Sequence, residues 1–157
     1  MKVFLVLLGL AAYCSATQVK QCKGIGRSIE DLNERVKIGA CNKPPCRLRK
    51  DSVVGITLKF KPDHDIKSLV NTVNANILGI PFPFAGVDGV DACKNIYNED
   101  GTTKVGCNIK AGQEYLYKSE IEVLKIYPRV KTVVHWGLTE PDGQDVICFE
   151  VPARITN

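Results

Sequence analysis

Little in this sequence speaks for catalysis. It has no Gly-x-Ser-x-Gly elbow, no His-Glu-x-x-His pair and no phosphate-cradling glycine loop, so the common signatures of serine hydrolases, zinc proteases and nucleotide-binding enzymes are missing. Histidine is scarce: His64 and His135 lie far apart, and no Cys-x-x-Cys pair occurs. A metal centre therefore lacks its usual ligand spacing, and no cofactor motif appears. Gly24-Ile25-Gly26 lacks a third glycine and reads as a turn. Asp63-His64-Asp65 follows Pro62 in a polar stretch and reads as an exposed turn rather than a general base. His135 lies in a strand pattern, either facing solvent or satisfied in the core. Basic residues outnumber acidic ones only mildly, 21 to 17. The cluster Arg47, Arg49, Lys50 is short and lacks interleaved aromatics, so a nucleic-acid partner is not expected. It reads as a solvated loop or strand edge, with a weak pull toward anionic membrane surfaces as the alternative. Asn-x-Ser/Thr is absent, which excludes the usual N-glycan acceptor.

One long apolar run is present, at residues 3–13, preceded by Lys2 and followed by the small residues Ser15 and Ala16. A charged start, a short apolar stretch and a small-residue site describe a secretory signal peptide, residues 1–16, cut after Ala16. The run is too short to span a bilayer. Cleavage removes Cys14 and leaves an even set: Cys22, Cys41, Cys46, Cys93, Cys107 and Cys148. In an oxidising compartment that set reads as a disulfide framework, which leaves no free thiol as a nucleophile. Spacing alone does not choose among the pairings six cysteines allow. The remaining residues 17–157, about 141, suffice for one domain with one core.

Turn signals divide this domain: residues 42–45, 61–63, 81–89, 98–101 and 141–143 are rich in Pro, Gly, Asn and Asp. Between them the apolar period is two. Val54, Ile56, Leu58 and Phe60 share one face of a strand; Tyr115, Tyr117, Ser119, Ile121 and Val123 share another. Val130, Thr132, Val134, Trp136 and Leu138 form a third, and Ile147, Phe149, Val151, Ala153 and Ile155 a fourth. Pro152 inside the fourth asks for an edge position or a bulge. Residues 66–80 also fit helical spacing, but their asparagines and β-branched residues favour a strand over about 67–79. Short strands with regular turns predict an all-β antiparallel sandwich.

The stretch Ile80-Pro81-Phe82-Pro83-Phe84 is unusual. Two prolines remove backbone donors, so it is no central strand, yet they hold the chain extended. Phe82 and Phe84 then point the same way. The two rings either cap the core or form the lip of an apolar ligand pocket.

These residues, with Cys41-Asn42-Lys43-Pro44-Pro45-Cys46-Arg47-Leu48, Tyr127-Pro128, Val133-Val134-His135-Trp136 and Cys148-Phe149-Glu150-Val151-Pro152, resemble the lipid-recognition (ML) domain of the Niemann-Pick type C-two proteins, also called epididymal secretory proteins. The style is similar to that of arthropod members. The resemblance runs from about Cys22 to Ile155. It implies an immunoglobulin-like sandwich with an apolar tunnel between the sheets. It also implies the pairings Cys22–Cys148, Cys41–Cys46 and Cys93–Cys107. Ligand contacts carry over to Phe84, Val123, Tyr127 and Trp136, with Ile80, Phe82 and Pro128 as neighbours. The implied task is non-enzymatic: a secreted monomer that binds a sterol and hands it to a membrane or membrane-protein acceptor, outside the cell or in the lysosomal or endosomal lumen. Carriage of fatty acids or chemosensory semiochemicals is a second implied use, and lipid sensing as an innate-immune or receptor-partner protein a third. The chain departs from the family in its long polar Cys93–Cys107 loop and in the bulk of Phe82, and both bear on ligand choice.

Overall fold

A computed structural model describes residues 17–24 and 28–157, so the expected signal peptide lies outside the described residues. The architecture is a sandwich of two sheets. One sheet holds β1 (Lys20–Gln21), β3 (Cys46–Arg49), β5 (Val70–Ile77), β6 (Ile80–Pro83), β9 (Lys131–Thr139) and β10 (Asp145–Thr156). The other holds β2 (Val36–Ile38), β4 (Ser52–Phe60), β7 (Ile96–Asn98) and β8 (Tyr115–Val123), in the order β2-β4-β8-β7. Helix is confined, among the described residues, to one turn, α1 (Leu32–Arg35), and a 3₁₀ turn at Cys93–Asn95.

The predicted alternations become the inner faces. Val54, Ile56, Leu58 and Phe60 of β4 and Tyr115, Tyr117, Ile121 and Val123 of β8 are buried against Val134, Trp136 and Leu138 of β9 and Phe149, Val151, Ala153 and Ile155 of β10. The ambiguous segment is a strand, β5, pairing antiparallel with β9 from Val70↔Thr139 to Asn76↔Val133. Pro152 sits within β10 where that strand changes neighbour. On one edge β10 pairs antiparallel with β1 at Phe149 and Glu150, then parallel with β3 from Ala153 onward. The missing N–H falls in the gap, which is how a proline is tolerated there.

Among the described residues the cysteines pair as Cys22–Cys148, Cys41–Cys46 and Cys93–Cys107. Cys22–Cys148 spans 126 residues. Loop-closure entropy for so long a loop contributes about 4–5 kcal/mol by restricting the unfolded chain.

The strands give the sandwich two distinct ends. β8 and β10 start where β9 finishes, and here the sheets are closed by large side chains: Phe60, Tyr117, Trp136 and Leu138 are all buried. Tyr117 meets Trp136 edge-on at 6.2 Å, and its hydroxyl donates to Asn71 Oδ1 of the opposite sheet at 2.7 Å. Burial pushes the Tyr117 hydroxyl above its ordinary pKa, so it stays a donor. The other end, where β5, β8 and β10 finish and β9 begins, is open.

Candidate functional site

At the open end an apolar cavity of about 380 Å³ is lined by Ala75 and Ile77 of β5, Phe82 and Pro83 of β6, Phe84, Tyr127, Pro128, Val130 and Ile155. That size lies within the range of small-molecule sites. The local sequence explains the wall. Leu78 and Gly79 both take positive φ, 53° and 85°, and form a two-residue turn between Ile77 and Ile80. β6 then runs back along β5 as an edge strand, the only place its two prolines fit. Phe82 stands opposite Ala75, so a large ring faces a small side chain and space remains beside it.

Phe84 follows the strand and is fixed from several sides. Its N–H donates to the Val73 carbonyl at 3.0 Å, and its own carbonyl accepts from Asp88 N–H at 3.0 Å. Its ring is 3% exposed and meets Tyr127 edge-on at 5.8 Å. The Tyr127 hydroxyl accepts from Ala85 N–H at 3.1 Å. Tyr127 belongs to the segment joining β8 to β9, so these contacts clasp one sheet's connection to the other's rim across the cavity. Between the inner faces lies a separate void of about 10 Å³, lined by residues including Ile56, Ile121, Val134 and Phe149.

Of the residues expected to touch ligand, Phe82, Phe84, Tyr127 and Pro128 line the cavity together. Ile80 lies one step outward on the hairpin and is exposed. Val123 and Trp136 are fully enclosed in the core and do not line it. Ala75, Ile77, Pro83, Val130 and Ile155 complete the wall and were not among the expected set. The inward phase of β10 already carries Ile155, but nothing in that alternation separates core from cavity wall.

His135 packs on the disulfide. Its Nε2 is 3.3 Å from Cys148 Sγ and its Nδ1 3.5 Å from both Cys22 Sγ and Glu150 Oε1. The three residues would suit a soft metal as thiolates, but here the sulfurs are bonded to each other.

A family model described as the ML domain matches residues 16–155. The chain belongs to that family. This ML domain is 38% identical over 114 residues to the ecdysteroid-regulated 16 kDa protein of Manduca sexta, covering 73% of this chain and 72% of the relative. It is 31% identical over 123 residues to the NPC intracellular cholesterol transporter 2 homolog a of Drosophila melanogaster, covering 77% and 78%. A crystal structure of a Niemann-Pick type C2 protein from Japanese carpenter ant shares the fold, with a TM-score of 0.63 at 21% identity over 91% of this chain and 96% of that one. The family is one of lipid-binding carriers, not of enzymes.

The long polar Cys93–Cys107 loop packs beside β7 and the start of β8, at the closed end. Hydrogen bonds from the Thr103 hydroxyl and the Thr103 and Thr102 amides hold the Asp100 carboxyl at about 2. The loop is thus a tied polar turn at the end remote from the cavity, whereas Phe82 stands in the cavity wall.

Proposed function

We propose that this protein is a secreted, monomeric carrier that takes one lipid, a sterol in the first instance, into the cavity at the open end and releases it at a membrane surface. The apolar cavity bounded by Phe82, Phe84, Tyr127 and Pro128 carries this reading. The names of its insect and vertebrate relatives, cholesterol transporters, support the sterol. Burying roughly 300 Å² of ligand at about 25 cal/mol per Å² contributes roughly 7–8 kcal/mol before the costs of association. No strong polar contact is required. Delivery is supported by the rim: Leu78 is 99% exposed and Ile126 85%, and Ile80 and Phe82 are exposed beside them. Leu78 occupies a turn position with φ of 53°, a conformation costly for a branched side chain. An apolar side chain held there in full solvent fits a rim that meets another apolar phase. The signal peptide expected from the sequence and the disulfides support passage through an oxidising secretory route to the extracellular space or a lysosomal lumen.

One observation favours a second reading, carriage of fatty acids or related semiochemicals. The cavity and the small void between the sheets are separate, with no lining residue in common. A flexible chain threads the packing between them by rotation of single bonds, while a rigid ring system requires the sheets to part. Native mass spectrometry of the secreted protein, followed by lipid extraction, decides between them. A bound sterol supports the first reading and a bound fatty acid or long-chain volatile the second. An empty protein that fails to bind either class when offered sinks both.

A further inference from the structure

A second cavity, of about 420 Å³, opens elsewhere on the surface and has the opposite chemistry. It is lined by Pro45, Arg47, Arg129, Arg154, Thr156 and Asn157. We propose that it is an oxyanion site, built to take a phosphate group, and that it is independent of the lipid reading.

The register makes the case. Arg154 of β10 stands directly opposite Lys131 of β9 on one side and Arg47 of β3 on the other. Directly opposed residues share a face, so three cations form a row across three adjacent strands. Like charges placed opposite one another destabilise a sheet. Arg129, two residues before Lys131, adds a fourth cation, and Arg49, two residues beyond Arg47, a fifth on the same face. None of Arg47, Arg129, Lys131 and Arg154 makes an ion pair among the described residues, whereas Arg35, Lys59 and Lys110 each find a carboxylate. On this face of β10 the nearest acidic side chain along the strand is Glu150, four residues from Arg154. At about 3.3 Å per residue that is about 13 Å, beyond a Debye length at physiological salt. Thr156 borders the same cavity through its other atoms, while its Oγ1 is enclosed and has no hydrogen-bond partner. Buried hydroxyls are normally satisfied. Three unpaired guanidinium groups around one concavity, Arg47, Arg129 and Arg154, are the donor set that a tetrahedral oxyanion accepts from, often two bonds per arginine.

Phosphate reaches such a site either as a free ion or as the headgroup of an anionic lipid. The alternation of the chain favours neither: Pro128 and Val130 line the apolar cavity while Arg129, between them, lines this one. The test uses the full mature chain and its Arg154→Gln and Arg47→Gln variants, with Lys67→Gln as a surface control. Inorganic phosphate is titrated while amide shifts are followed by NMR. Saturable shifts at residues 45–47, 129–131 and 154–156 are expected, with Kd raised at least tenfold in either arginine variant and unchanged in the control. In phosphate-free buffer Arg154→Gln should raise the thermal midpoint, because it interrupts the row of like charges, and phosphate should stabilise the parent more than the variant. Lysophosphatidic acid below its micelle concentration is then compared with the monoacylglycerol of the same chain. A tenfold preference for the phosphate ester that vanishes in Arg154→Gln assigns the site to a lipid headgroup; no preference, with the ion bound, assigns it to free phosphate. Failure of both the ion and the ester to distinguish the parent from the arginine variants overturns the proposal. Failure of the neutral lipid alone bears on the carrier reading and leaves this one standing.

Discussion

The two ends of the sandwich are made by the same strands and differ in what crosses between the sheets. At the closed end large rings meet, and a directional bond, Tyr117 to Asn71, ties β8 to β5. His64, in the turn after β4, reaches the carboxylate of Glu140 beside the β9–β10 turn at 2.8 Å, a second tie between opposite sheets. At the open end the inward residues around the cavity are smaller, Ala75, Val130 and Ile155, and the ties beside the cavity include the Phe84–Tyr127 ring contact and a bond from Ala85 N–H to the Tyr127 phenol. Alternation supplies an inner face along the whole strand. Side-chain bulk and cross-sheet ties decide where that face is core and where it is cavity. A sandwich with one locked end can open at the other without losing its register.

The largest expected effect separates those roles directly. Trp136→Ala removes the largest buried ring of the closed end and should cost about 3–5 kcal/mol, lowering the thermal midpoint by roughly 10–15 °C. Phe84→Ala removes a buried ring that already borders the cavity, and the expected loss is at the lower end of that range, about 3 kcal/mol. Lipid affinity should behave in reverse. It should fall at least tenfold for Phe84→Ala and stay within about threefold for the folded fraction of Trp136→Ala, the order that loss of a wall contact at constant pocket shape gives. Urea unfolding and displacement of a fluorescent lipid measure both. Equal affinities with equal stabilities would erase the distinction between the ends.

The next effect is smaller and sharpens the same contrast. Tyr117→Phe leaves the Asn71 side-chain oxygen buried without its donor, and an unsatisfied buried acceptor costs about 1–3 kcal/mol. Affinity at the open end should not change. Replacing both partners by apolar groups, as in Tyr117→Phe with Asn71→Val, should recover much of the loss, since no polar group is then stranded. A double variant no better than the single one would mean that the tie holds the strands in place by more than hydrogen-bond satisfaction.

The inner faces of β4, β8, β9 and β10 were legible as period-two patterns because burial acts on every residue of a strand in the same way. The extended Ile80–Phe84 segment was legible for a local reason too: proline geometry. What was not legible depends on pairing between distant segments. The parallel union of β3 with the end of β10 sets Arg47 beside Arg154, and no spacing within the chain reports a contact across that many residues. Val123 and Trp136 carry the same inward phase as Ile155, yet the first two are enclosed and the third lines the cavity. Phase reports which side of a sheet a residue takes. It does not report how close the facing sheet stands at that level, which is set by the bulk of the side chains that meet the residue from the opposite sheet, as Tyr117 meets Trp136.

The smallest effect is electrostatic and belongs to the closed end. Hydrogen bonds that the ring N–H groups donate, first to Asp63 and then to Glu140, raise the pKa of His64 above its ordinary value. A raised folded-state pKa means that protonation favours the fold. The contribution is therefore fully present below the unfolded value near 6.5 and is lost as pH rises through the higher folded value. The imidazole is exposed and solvent screens it, so the gain on acidification should stay under about 1 kcal/mol and shrink in high salt. His64→Gln should flatten that part of the stability profile, on the alkaline side of about pH 6.5. Because His64 joins the β4 turn to the β9–β10 turn, its protonation tightens the locked end alone. Lipid affinity measured across the same window should then show no step that His64→Gln removes. A step in affinity that disappears with the variant would mean that the two ends are coupled through the sheets, and the division between a locked end and a yielding one would fail.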